Sequence, residues 1–314
     1  MKYVIIFSAF LGFLTTIYAI KWFIRYAWRI GLVVKDQNKI DKPLIPISGG
    51  VAVMAGFFIG ILSFIFIRTF FYNGNDGVTL DTKALMLLFT SITSILMITF
   101  VGFVDDLLIR RDKESSIGLK RWQKPLLTLV AAIPLMAIKA GTTTMQFPLG
   151  IGRVDIGIIY PLILVPLLIV FAANVINMLA GFNGLEAGMG IVYIGMLGLY
   201  SLYQGKLTND NDKYIAALIA LMVFSALIAF YLFNMVPAKI FPGDSLTYLL
   251  GSVLAVIAIV GNLEKAVIIA LIPFGIEFIL KARGKFKKQS YGYYKGGKGQ
   301  SLYKKVYSLP HLFT

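Results

Sequence analysis

The sequence has no cysteine, so it holds no disulfide, no thiolate nucleophile and no thiolate-bound metal. Its single histidine, His311, lies near the carboxyl end and leaves no set of imidazoles for a His-based triad or a His-rich metal site. Charge is scarce too: 14% of the 314 residues are Asp, Glu, Lys or Arg, against about 25% in a soluble domain. Apolar residues fill that place. They make up 58% of the chain, and the mean hydropathy is +0.80, so there is too little polar surface to cover a globule in water and the chain is expected to face lipid. The same figures exclude a disordered chain, a coiled coil and a small disulfide scaffold. The net charge of +15 suggests a nucleic-acid footprint until the positions of the charges are considered.

About 20 apolar residues, rising 1.5 Å each, carry a helix across the hydrocarbon core. Nine apolar runs predict spans at 4–24, 50–71, 84–104, 125–139, 157–173, 186–204, 214–233, 245–260 and 265–281, the fourth and eighth being short. Breaks such as Asn73-Gly74-Asn75-Asp76-Gly77 and Asn209-Asp210-Asn211-Asp212 separate them. The first run is too long for a signal peptide, and no internal repeat is evident. The expected fold is an all-α, polytopic transmembrane helix bundle: one transmembrane catalytic domain over 1–281, then a basic cytoplasmic loop or tail over 282–314.

Lys and Arg crowd into alternate loops: Lys21 to Lys42, Arg110 to Lys124, Lys239, and Lys281 to Lys305. These hold 22 of the 30 basic residues, and nine of the 15 acids fall on the same side. The basic loops are therefore expected in the cytoplasm and the amino terminus outside. Most of the excess charge is a topology signal, and nucleic acid is not needed to explain it.

With charge so sparse, the polar clusters near span ends stand out. Asp105-Asp106 closes the third span, where two carboxylates meet the negative end of the helix dipole and repel each other. A solvated interfacial pair is the plain explanation; a divalent-metal or general-base site is the functional one. Asn174 and Asn177 follow the fifth span three residues apart, on one face if helical, before Gly181-Phe182-Asn183-Gly184-Leu185-Glu186. Capping of a helix-turn-helix explains one of these Asn residues well and three poorly. Phe241-Pro242-Gly243-Asp244-Ser245 opens the eighth span, with Asp244 either a helix cap or a carboxylate aimed at a metal or phosphate. A polar loop from Lys35 to Gly50 precedes the second span, and a structural turn is its plainer role. The basic stretch Lys281 to Lys288 suits anionic head groups or a diphosphate. All of these clusters fall on the predicted cytoplasmic side, and together they combine hard oxygen ligands with cations, as Mg²⁺-assisted diphosphate chemistry requires.

At these motifs the chain resembles the polyprenyl-phosphate N-acetylhexosamine-1-phosphate transferases. The stretch from Asn177 to Glu186 and the Phe241-Pro242-Gly243-Asp244 turn are most similar to the eukaryotic and archaeal branch, which acts on UDP-GlcNAc and dolichyl phosphate. The resemblance runs from about Asp36 to Lys288. It implies that Asn177 and Asp244 hold Mg²⁺ (or Mn²⁺), that Asp105 and Asp106 are the acidic pair beside the metal, and that Lys124 contacts the diphosphate. It further implies that Asn183 reads uracil, that Phe241 stacks on it, and that Glu186, Arg283 and Lys285 bind substrate. Ile109 departs from the pattern, standing where the family usually has Asp or Asn. The bacterial branch's histidine-rich loop has no counterpart, which argues against a muramyl-pentapeptide substrate. The family usually has ten spans, so a last helix, cut off or absent after Thr314, is expected beyond the basic segment.

The activity so implied is transfer of GlcNAc-1-phosphate from UDP-GlcNAc to a polyprenyl phosphate, releasing UMP, as a first lipid-linked step of glycan assembly. The expected partners are both substrates, membrane lipids and, as one arrangement, a second copy in a homodimer. A secondary transporter with an interfacial polar site is the alternative, as is the same chemistry on another UDP-N-acetylhexosamine. No Asn-x-Ser/Thr acceptor occurs, so an archaeal plasma membrane is preferred to the endoplasmic reticulum.

Overall fold

The computed structural model describes residues 2–37, 39–71, 78–108, 118–120, 122–147, 152–290, 292–295 and 298–313. The Asn73–Gly77 break, Asn38, Ile109 with the basic run after it, Arg121, Gly296 and Gly297 lie outside these residues.

Six of the nine predicted spans are single helices long and apolar enough to cross a membrane. They are α1 (Lys2–Ile30), α2 (Gly50–Phe70), α3 (Thr82–Leu107), α7 (Leu185–Thr208), α8 (Asn211–Asn234) and α9 (Gly243–Gly261). The other three runs are helical but interrupted. The run 125–139 divides into α4 (Gln123–Val130) and α5 (Ile133–Ala137), with Pro134 in the first turn of α5. The run 157–173 begins as a π-helical segment, Tyr160–Leu164, and continues as α6 (Val165–Ile176), with Pro161 and Pro166 at the two starts. The run 265–281 becomes α10 (Glu264–Ala270) and α11 (Ile272–Arg283), with Pro273 just after the break. Proline lacks the amide that a continuing helix needs and clashes with the preceding turn, so each interruption falls at one.

The all-α expectation needs one correction. Among the described residues there are three antiparallel hairpins: β1 (Val33–Lys35) with β2 (Leu44–Pro46), β3 (Thr144–Phe147) with β4 (Gly152–Asp155), and β5 (Tyr293–Lys295) with β6 (Lys298–Gln300). The first matters for the site. Its register pairs Val33 with Pro46 and Lys35 with Leu44, which holds the polar loop before α2 against the end of α1.

Burial separates the helices into inner and outer ones. The apolar window of α9 is 89% buried, whereas that of α1 is only 28% buried. Helix α9 packs against α2, α3, α6, α7, α8 and α10, and from Ser245 to Gly261 every residue of it is buried. Helix α1 packs on α2 and α8 but presents Phe7, Phe10, Tyr18 and Trp22 outward, the apolar and interfacial surface that lipid would cover. After α11 the chain turns back. The carboxylate of the buried Glu277 accepts hydrogen bonds from Ser308 Oγ and the Leu309 amide, both at 2.6 Å. His311 joins that fold: Nδ1 accepts from the Tyr307 amide at 3.2 Å, and Nε2 lies 2.9 Å from the Gln289 carbonyl.

Candidate active site

The carboxyl end of α3 meets the amino end of α9, and this meeting resolves the misplaced acidic pair. Asp105 and Asp106 are both buried. Asp106 Oδ1 accepts from the Asp244 backbone amide at 2.7 Å, and Oδ2 accepts from the Ser245 amide at 3.1 Å and from Ser48 Oγ. A helix begins with amides that have no partner within it and a positive dipole end. Asp106 supplies that partner for α9 from another helix, so the negative end of one dipole is offset by the positive end of the other. The junction is close. A Cβ at Gly102 would stand 2.4 Å from the Asp244 carbonyl oxygen, and one at Gly243 would stand 2.4 Å from Asp106 Oδ2. Gly243 also has φ +69°, a conformation that glycine adopts without steric cost.

Asp105 faces the other way. Its Oδ1 accepts from the Leu119 amide at 2.5 Å, and its Oδ2 pairs with the Lys124 ammonium. Lys124, in the first turn of α4, reaches Asp244 Oδ2 as well, at 2.9 Å. Burial alone would lower the Lys124 ammonium's pKa; the Asp244 carboxylate, with Tyr248 and the Asp105 carboxylate, outweighs burial and holds it above the usual lysine value. Asn177, at the carboxyl end of α6, is hydrogen-bonded to the Asp244 side chain, and its Oδ1 accepts from Thr247 Oγ1 at 2.9 Å. Four elements thus bring Asp105, Lys124, Asn177 and Asp244 into one contiguous group. Asp244 and Lys124 keep 27% and 24% of their side-chain surface exposed, so a ligand has access to them.

The remaining candidates lie around this group. Asn183 sits in the loop between α6 and α7 and donates from Nδ2 to Asp36 Oδ2 at 3.2 Å. Glu186, in the first turn of α7, is buried and bonded to the Gly181 amide, which shapes that same loop. Phe241 is half-buried; its amide donates to the Pro46 carbonyl at 2.7 Å, and its carbonyl accepts from the Gly49 amide at 3.0 Å. Arg283 and Lys285 are exposed, and the Arg283 guanidinium lies 5.9 Å from the centre of the Tyr307 ring. Among the described residues no ion pair joins either of them to Asp105 or Asp244. The segment they begin does approach the loop of Asn183, with Ser290 Cβ lying 3.8 Å from where a Cβ on Gly181 would be.

Asn174 separates from the group. Its Nδ2 donates to the Val170 carbonyl at 2.8 Å and to Thr128 Oγ1 at 3.2 Å, tying α6 to the helix of Lys124. Ser48, Thr247, Tyr248 and Asp36 belong to the neighbourhood too; Asp36 and Ser48 lay in the polar loop that read as a structural turn, and Thr247 and Tyr248 had no motif of their own. Thr247 and Tyr248 had one usable signal, their positions three and four residues after Asp244 on a helix.

Residues 85–262 match the family model described as glycosyl transferase family 4. The chain belongs to that family. The matched stretch includes Asp105, Asp106, Lys124, Asn177, Asn183, Glu186, Phe241 and Asp244. The chain is 36% identical over 310 residues to a protein of Saccharolobus solfataricus, covering 98% of this chain and 86% of that one. It is 34% identical over 288 residues to one of Sulfolobus acidocaldarius, covering 92% and 80%. Both relatives are provisionally named UDP-N-acetylglucosamine–dolichyl-phosphate N-acetylglucosaminephosphotransferase. A Schizosaccharomyces pombe protein with that name is 27% identical over 280 residues, covering 80% of this chain and 60% of its own length. The resemblance drawn from the motifs therefore stands. This family member is a transferase, and its long apolar helices make it an integral membrane protein.

Proposed function

We propose that this chain transfers GlcNAc-1-phosphate from UDP-GlcNAc to a polyprenyl phosphate of the dolichyl type, releasing UMP. The observation that carries the proposal is the single group formed by Asp105, Lys124, Asn177 and Asp244. Two carboxylates and an amide around one ammonium are suited to a bound diphosphate and its counter-ion, and the names of the relatives specify the sugar nucleotide and the lipid.

An oxygen of the lipid phosphate attacks the phosphorus that carries the sugar. As that P–O bond forms, the bond from the same phosphorus to the bridging oxygen breaks, and UMP departs with the bonding pair. Lys124, held positively charged, offsets the charge that grows on the departing phosphate. Asp105, paired with Lys124 beside Asp244, orients the lipid phosphate or accepts its proton. Asp106 has both oxygens engaged at the start of α9 and acts by aiming Asp244. A phosphate dianion needs little activation, which favours this one-step route over an aspartyl-phosphate intermediate.

The donor set fits a hard divalent cation. Among the described residues no group of three or more Asp, Glu, His or Cys surrounds one point. Mg²⁺ commonly takes one or two protein carboxylates and fills its shell with phosphate oxygens and water, so Asn177 and Asp244 are the residues that would hold it. Mg²⁺ or Mn²⁺ bound there would neutralise charge on the diphosphate.

The proposal places the group on the cytoplasmic side of an archaeal plasma membrane, with nine crossings if each interrupted helix pair counts as one. The dense basic loops support that orientation. Release of UMP from UDP-GlcNAc by the purified protein is the test. Release should require both dolichyl phosphate and Mg²⁺, and should stop when EDTA is added. UMP release indifferent to the lipid, or none with both present, would overturn the proposal.

A further inference from the structure

The loop before α2 is bound to the site at two separate points, and one of them is a buried acid that the mechanism leaves unused. Asp36 follows β1 and is only 1% exposed. Its Oδ2 accepts a hydrogen bond from Asn183 Nδ2 at 3.2 Å and lies 3.4 Å from the Lys39 ammonium. Its amide donates to the Pro43 carbonyl at 2.9 Å, closing the loop across which β1 and β2 pair. At the end of β2, the Pro46 carbonyl accepts from the Phe241 amide at 2.7 Å. A single hairpin thus holds Asn183 by its side chain and Phe241 by its backbone. These are the two residues to which the family resemblance assigns the nucleobase.

We infer that Asp36 is a positioning residue that sets nucleobase specificity by fixing which way the Asn183 amide faces. This rests on the reading of the chain as a UDP-sugar transferase. A carboxylate only accepts hydrogen bonds, so the amide nitrogen of Asn183 must turn toward Asp36. The carbonyl oxygen and the second N–H then remain, in a fixed order, for a ligand; Asn183 is half-buried and retains surface for one. Uracil presents a donor at N3 beside an acceptor at O4, whereas cytosine presents an acceptor at N3 beside a donor at N4. An amide free to turn over would satisfy either base. One that is held satisfies the uracil order and leaves mismatched groups against cytosine, a desolvation cost that discriminates strongly between near-isosteres. Lys39, paired with the same oxygen at 3.4 Å, reinforces the arrangement by favouring a charged Asp36.

The test is calorimetric titration of the full-length protein with UDP and with CDP, each in the presence of Mg²⁺. Wild type is expected to prefer UDP. Asp36→Asn preserves shape but introduces a group that donates as well as accepts, so the UDP-to-CDP affinity ratio should fall about tenfold, the worth of one hydrogen bond. Asp36→Leu should lower the ratio at least as far, and Asn183→Ala combined with Asp36→Asn should lower it no further than Asn183→Ala alone. An unchanged ratio in both Asp36 variants, or additive losses in the double variant, would overturn the inference. If Asp36→Leu fails to fold, the shape-preserving Asp36→Asn carries the test. Equal affinity of wild type for UDP and CDP would instead overturn the uridine-nucleotide reading itself, a result distinct from a failure at Asp36.

Discussion

Asp106 accepts a hydrogen bond from the backbone amide of Asp244 at 2.7 Å, so an acid at the end of one helix caps the helix that presents another acid to the site. Adjacent residues in the sequence therefore divide the work: Asp106 builds the site, and Asp105 faces it.

That division is measurable. Asp106→Asn sets an amide NH₂ against an N–H donor and should lower stability by about 1–3 kcal/mol, seen as a lower melting temperature in detergent. Asp105→Asn loses the Lys124 ion pair but keeps an oxygen for the single Leu119 amide, so its melting temperature should fall less than that of Asp106→Asn while UMP release falls by about 10²–10⁴-fold. Equal melting temperatures for the two variants would refute the capping role.

Lys124→Met removes the ammonium shared by Asp105 and Asp244 and leaves two carboxylates facing each other. UMP release should drop by about 10²–10³-fold, the usual loss when one charge-stabilising donor is deleted. Because the folded-state value of Lys124 is raised, its ion pairs are fully present below the ordinary lysine pKa of about 10.4 and are lost only above it. A pH–rate profile of wild type should show no loss assignable to Lys124 up to about pH 10.

Gly102→Ala should be costly and Gly275→Ala should not. At Gly102 the added carbon meets Asp244 backbone at 2.4 Å, whereas at Gly275 nothing lies within 4 Å. The first should cost about 1–3 kcal/mol and displace Asp244, lowering turnover as well. The second should be neutral, or stabilising by up to about 1 kcal/mol through helix propensity. Thermal melts and UMP release on the two variants make the comparison.

Glu277→Ala withdraws both oxygens that hold Ser308 and Leu309. The segment after 300 should open more often, and trypsin should cut at the exposed Lys304 and Lys305 several-fold faster than in wild type. Unchanged cleavage would show that other contacts hold the segment.

The bundle was legible in the sequence wherever a helix had to cross lipid unaided, because that demands a long apolar run and nothing else. It was less legible at 125–139, 157–173 and 265–281, where composition reads as one span while Pro134, Pro161, Pro166 and Pro273 divide the helix. The β1–β2 hairpin left no trace, since three-residue strands are made by register and tertiary support more than by pattern. In the site, Asp105 and Asp244 stood out because charge is rare, whereas Lys124, one of many loop cations, was marked only by the family resemblance. What separated Asp105 from Asp106 was invisible: successive helical residues point about 100° apart, and only the neighbouring helices decide which of them faces inward. Asn174 and Asn177 looked alike for the same reason, yet one ties helices together and the other meets Asp244. Asp36 lay in a polar loop that read as a turn, and nothing local pointed to its partner Asn183, 147 positions away.

The contrast between an enclosed α9 and an outward-facing α1 has a consequence for the bilayer. Strain from a thicker, thinner or differently headed membrane falls first on α1, whose aromatic side chains meet the surroundings. To reach the buried body of α9 it must pass through the six helices packed around it. The helix that presents Asp244 is thus shielded from lipid along its length while its amino end stays open to ligands, and an enzyme built this way tolerates changes of lipid at its rim without retuning the chemistry at its centre.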